Sequence, residues 1–307
     1  MTLIPAILTA CFFALTGLCA RRSASLIGSL RANLYRLLIA MLAMGSILLF
    51  SDDPFPTPYN VAFLCIGGVG FGLGGACVLR ALPLLGTPLT LLVVECGAAI
   101  ASGIFSILFS NDTLLIGEWL ACLVILSGVA LALYPRNKPS SGLIISHGLL
   151  LGIAGAILQA ASLVASRAMF VSAKGEGIPL SPLDAAAWRL TGGFAVALVL
   201  GVMLNNWKNR WSIRDEWNKL LPTHPENWYS IPLIWVSLNA LFGPILGITM
   251  WLWAVSMTHP AIVQSVAACA PLLSLPFASK WESFDHPWRF TAGGSIALCG
   301  VIALYLI

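Results

Sequence analysis

Charge is what this 307-residue chain has least of: 16 Lys and Arg plus 12 Asp and Glu make 9% of it, against about a quarter in soluble globular chains. With 59% hydrophobic residues and a mean hydropathy of +0.92, that scarcity excludes a water-soluble fold, because monomer surfaces tolerate only limited apolar patches. The sequence also lacks a phosphate loop, a zinc-binding helix motif and a nucleophile elbow, so no catalytic set and no enzyme are expected. It has no sizeable soluble stretch to hydrolyse ATP, so uphill work needs an ion or solute gradient, a proton or another ion, and no cofactor. No basic run resembles a nucleic-acid footprint, and the net charge of +4 reads instead as topology information. Eight cysteines lie in apolar stretches without metal-ligand spacing and read as packing residues, with no metal site. Met1 to Ala20 has no Lys or Arg ahead of its apolar run, and Arg21-Arg22 follows it. That order reads as a first membrane helix rather than a cleaved leader.

What is present is a series of ten apolar runs, near 3–20, 34–50, 61–81, 87–109, 116–134, 144–170, 185–205, 231–254, 260–278 and 291–307. Lengths near the ~20 residues of a spanning helix, without period-two alternation, predict an all-α integral membrane protein with ten transmembrane helices. The polar interval Pro135 to Ser146, with two prolines, two cations and Ser140-Ser141-Gly142, divides the chain into five runs each side. The halves, 1–138 and 139–307, echo one another. Tyr35-Arg36-Leu37 opens the second run and Trp188-Arg189-Leu190 the seventh; Ala20-Arg21 echoes Ser166-Arg167. In the fifth and tenth runs, Ala121, Gly128, Val129, Ala132 and Leu133 share a rhythm with Gly293, Gly300, Val301, Ala303 and Leu304. An odd number of crossings per copy makes the two repeats inverted, an arrangement that transporters use to open to either face.

Small residues mark close helix approaches: Gly67, Gly68, Gly70, Gly72, Gly74 and Gly75 in the third run, and Gly152, Gly155, Ala156 and Ala160 in the sixth. Pro244, Pro271 and Pro276 are expected to bend the eighth and ninth. Between 205 and 230, Ser212 caps a short amphipathic pattern ending at Pro222. With Trp207, Trp211 and Trp228 beside it, the segment near 207–221 reads as an interfacial helix.

Polar residues inside apolar runs supply the candidate site. Glu95 must be paired, protonated or open to an aqueous cavity; it either recognises an amine or carries a proton coupled to transport, or pairs structurally with Arg80 or another buried cation. The remaining cavity candidates are Gln159, Asn239, Gln264 and Ser265, with Trp235, Trp251 and Trp253 as aromatic walls. Arg36 and Arg189, at matching positions, read as gating or structural cations or as partners of an anionic solute group, and Tyr35 and Trp188 as caps on the cavity. His259 reads as a titratable loop residue.

With its paired arginine segments, five-plus-five layout, Pro271 segment and Gly117/Gly128 and Gly293/Gly300 helices, the chain resembles EamA-type ten-helix carriers of the drug/metabolite transporter superfamily. The Gly-Glu pair frequent after the fourth and ninth spans of such carriers is replaced here by Ser110-Asn111 and Lys280-Trp281-Glu282; only Glu282 matches. The resemblance implies a multi-pass carrier of the bacterial inner membrane. It also implies export of an amino acid or similar amphipathic metabolite by alternating access around a central cavity. Partners expected are a small organic solute and membrane lipids, with no nucleic acid; monomer and homodimer both stay open. A flippase for a lipid or lipid-linked substrate and a non-transporting membrane assembly scaffold are the alternatives. The resemblance implies cytoplasmic termini, whereas the excess of Lys and Arg in loops near 21–33, 135–143, 206–230 and 279–290 puts both termini outside. Reporter fusions after residues 136 and 307 separate the two.

Overall fold

The computed structural model describes residues 3–50, 57–85, 87–110, 114–133, 142–177, 180–204, 231–278 and 287–307, and every described regular element is helical. We label them α1 (Ile4–Ile27), α2 (Ser29–Leu49), α3 (Pro58–Leu85), α4 (87–110), α5 (Ile116–Leu133), α6 (Gly142–Gly175), α7 (Pro182–Leu204), α8 (Pro232–Met257), α9 (260–278) and α10 (Pro287–Leu306). Among the described residues eight helices are long and apolar enough to cross a membrane, and the apolar segments Pro260–Ser274 and Thr291–Leu306 are shorter. The proposed interfacial helix near 207–221, most of the Pro135–Ser146 junction and Glu282 lie outside the described residues. Leucines and isoleucines such as Leu49, Ile116 and Leu306 are strongly exposed, as expected of side chains facing lipid tails.

Several boundaries differ from those expected. Residues 21–33 are not a loop: α1 continues past Arg21 and Arg22 to Ile27, and the chain turns at Gly28 alone, whose φ of 84° suits glycine. α6 begins at Gly142, inside the predicted junction, because Ser140-Ser141 precede a long apolar run that carries helix to its edge. Two of the three expected proline sites coincide with irregular helix, while Pro276 lies within the helical segment Ala270–Ala278. Pro244 sits in the π-helical stretch Leu241–Gly247 of α8, and α9 breaks at Ala268-Cys269, just before Pro271.

The helices pack in two matching sets. α3 contacts α6 and α7, as α8 contacts α1 and α2; α4 contacts α6, as α9 contacts α1; α2 meets α7, α4 meets α9 and α5 meets α10. Exchanging each helix for the one five places on carries these contacts onto one another, whereas the packing of α1 on α2 and of α5 on α9 has no counterpart of similar extent. The repeated small-residue rhythm of α5 and α10 faces itself: a methyl at Gly128 would strike Gly293 and Ala297, and one at Gly300 would strike Ala121 and Ile125. With Gly117 against Ile307, the two helices run antiparallel. Matching positions of the two helices contact reciprocally.

Glycine decides how close the other helices come. A methyl at Gly68 would collide with the backbone of Arg189, and one at Gly192 with the backbone of Cys65, so α3 and α7 touch main chain to main chain. On the other side of α3, Gly67, Gly70 and Gly74 lie against Ser162, Leu158 and Gly155 of α6, whereas Gly75 faces open space.

Candidate functional site

Polar side chains converge at two levels along α6. At the first, Glu95 lies in the π-helical turn Leu92–Cys96 of α4. Such turns widen the helix and re-aim side chains. Its Oε2 accepts a hydrogen bond of 2.8 Å from Gln264 Nε2 on α9, and Gln159 of α6 also bonds the carboxylate. Gln264 is fully buried, and among the described residues nothing donates to its Oε1. Ser265, next to it and buried, pairs with Cys122 of α5. Glu95 therefore joins α4, α6 and α9 through amides. Arg80, the structural partner expected for it, is exposed near the end of α3, so the amide contacts replace that ion pair. His259 is not an exposed loop residue. It is buried and caps α9, its Nδ1 accepting the Ala261 N–H at 3.2 Å.

Two helical turns further along α6 stands Arg189 of α7, 1% exposed. Its Nη1 donates to Ser166 Oγ of α6 at 2.9 Å, and its guanidinium lies 4.8 Å from the Trp251 ring centroid and 5.5 Å from that of Phe71. Cation–π contact replaces part of the lost hydration. Among the described residues nothing accepts from Arg189 Nε or Nη2, or from Trp251 Nε1, although all three are buried. The neighbouring Arg167 turns the other way and donates from Nη1 to the Val255 and Ser256 carbonyls at 2.9 Å each, satisfying the last turn of α8.

The other expected site residues lie elsewhere. Asn239 is buried, with its Oδ1 accepting from Thr16 Oγ1 of α1 at 2.7 Å. Arg36 donates from Nε to Asn33 Oδ1 at 2.9 Å within its own helix, and Tyr35 packs with Ile27, Ala32 and Val236. Trp188 and Trp235 are half-buried. Trp253, read as a cavity wall, is 39% exposed and faces away from the core, because two residues along a helix turn its side chain well away from Trp251. Sequence reasoning missed Ser166, Phe71 and Thr16. Ser166 had a signal in the Ser166-Arg167 echo; Phe71 among glycines had none.

Against this geometry stand two matches of one family model, EamA-like transporter family, to residues 1–134 and 146–306. The chain belongs to the EamA-like transporter family. It is thus a multi-pass membrane protein of a non-enzymatic transporter class within the drug/metabolite transporter superfamily. A solved crystal structure 16% identical in sequence superposes with a TM-score of 0.72, covering 99% of this EamA-like chain and 98% of its own. That likeness concerns the fold. No curated protein matches the chain.

An opening lies at one end of this EamA-like fold. A cavity of about 330 Å³ at one end of the bundle is lined by Phe170 and Lys174 of α6, Gly177 and Leu180 of the following turn, and Ser256 of α8. Phe170 lies one turn beyond Ser166 and Lys174 two, so the cavity continues the α6 face that carries the Arg189 contact.

Proposed function

We propose that this protein is a secondary transporter of a small organic metabolite, an amino acid or similar amphipathic solute, exported across the bacterial inner membrane by alternating access. Ten crossings in two inverted five-helix repeats, 1–138 and 139–307, form the working unit. Inversion is supported by the antiparallel, reciprocal contact of α5 with α10, since a two-fold axis relating antiparallel spanning helices lies in the plane of the membrane. The observation that carries the transport reading is the charged pair of levels inside the bundle. Glu95 is held by amides and Arg189 by a hydroxyl and aromatic rings, and neither meets an opposite charge among the described residues. Ionisable groups kept inside a membrane bundle at such cost mark a solute or ion pathway. A scaffold whose repeats only pack has no use for them.

Glu95 and Gln264 join equivalent helices of the two copies, so relative motion of the copies makes or breaks this contact. That couples an ionisable group to the conformational change, and Glu95 is the proposed site of proton coupling. The test is purified protein in liposomes offered amino acids, nucleosides, sugars and polyamines. Saturable counterflow of at least one of them is expected; passive leak for every solute, with the protein folded, sinks the proposal.

A further inference from the structure

We infer that Arg189, held in place by Ser166, and Trp251 form a subsite for the carboxylate of the transported solute. This rests on the carrier reading above and adds the chemical class of what is carried. Arg189 Nε and Nη2 and Trp251 Nε1 are buried without acceptors among the described residues, and guanidinium and indole ring lie 4.8 Å apart. None of the three can accept a hydrogen bond, so no rearrangement among them satisfies any of them. Leaving buried donors unpaired is costly, and a buried charge without a counter-ion more so. A carboxylate has two oxygens and a negative charge, which matches the guanidinium fork and leaves lone pairs for the indole N–H.

The surroundings narrow the class further. Phe71 and Trp251 flank the cation with apolar rings, so an anion carrying apolar groups fits and a strongly hydrated inorganic ion does not. Lys174 lines the cavity at the end of the bundle, on the α6 face that leads down past Phe170 to Ser166. A cation at that mouth raises the local concentration of anions before they enter. Phe170, buried, lines that cavity one helical turn beyond Ser166.

The experiment uses the full-length protein in detergent and follows its thermal unfolding against concentration of benzoate and phenylacetate. Each is paired with its neutral amide, benzamide or phenylacetamide, at constant ionic strength. The acids are expected to raise the unfolding temperature and the amides not, with the difference kept in Arg36→Gln and lost in Arg189→Gln. Trp251→Phe keeps the ring and loses one donor, so apparent affinity for the acids should fall about tenfold, the worth of one hydrogen bond to a charged group. Equal shifts from acid and amide, no shift from either acid, or an undiminished acid response in Trp251→Phe overturns the subsite. If Arg189→Gln does not fold, the Trp251→Phe titration decides. Solute counterflow in liposomes without preference for acids removes the subsite and leaves the carrier; acid binding without any counterflow does the reverse.

Discussion

Two segments that begin alike end in different surroundings: Tyr35-Arg36-Leu37-Leu38-Ile39-Ala40 in the first copy and Trp188-Arg189-Leu190-Thr191-Gly192-Gly193 in the second. Three residues before Arg36 stands Asn33, whose carbonyl takes the guanidinium back onto its own helix. Three before Arg189 stands Ala186, which has nothing to offer, so that arginine reaches across to Ser166, a position matched by Ala20 in the first copy. Behind it Gly192 and Gly193 admit the α3 backbone, where the first copy has Ile39 and Ala40. Duplication thus supplies two arginines, and the neighbours three or four residues away decide which is satisfied locally and which is left facing the core.

The sharpest way to break that contrast is to fill the glycine contact. Gly192→Val should destabilise the protein by on the order of 3 kcal/mol, an overpacking cost at backbone-to-backbone contact. Gly75→Val, directed into open space, should stay near wild type; thermal unfolding in detergent reads both. Next in size, Arg189→Gln should abolish counterflow of acidic solutes while Arg36→Gln retains it. Equal loss in both would mean that the two arginines share one role despite their different partners.

Ala186→Asn transplants the local acceptor of the first copy. It should draw the Arg189 guanidinium away from Ser166 and weaken acid-dependent stabilisation severalfold, and the reciprocal Asn33→Ala should cost about 1.5 kcal/mol of stability through loss of a charge-assisted hydrogen bond. Smallest in its effect on stability is Glu95→Gln, which keeps an oxygen for Gln264 Nε2 to reach. If Glu95 carries the coupled proton, this variant loses accumulation driven by a pH gradient and keeps solute counterflow. Gradient-driven accumulation at the wild-type rate would remove Glu95 from coupling.

Much of the architecture was legible because apolar run length and repeated residues are local properties. The Gly128 and Gly300 rhythm was readable as a repeat, and its meaning as a self-facing interface was not, since sequence does not say which equivalent surfaces meet. Glu95 and Gln264, 169 positions apart, stand out singly as polar residues in apolar runs. Nothing in their spacing pairs them. Arg80 was the more natural electrostatic partner for Glu95, and it failed because helix α3 carries it to an exposed position where hydration is cheaper than burial. Similarly, Trp251 and Trp253 are indistinguishable by composition, and only the packing of α8 directs one into the core and the other outward.

By itself the chain's sparse charge and long apolar runs determined that it is helical and lives in a membrane, because lipid leaves the backbone no other way to bond. Its repeated motifs determined that it is built twice. Tertiary structure alone decided which arginine lies buried beside indole and phenyl rings and which acid is shared between helices of the two copies. Those outcomes depend on which helices meet and how close their backbones come, and beside Arg189 that approach is set by Gly68 on α3 and Gly192 on α7 together.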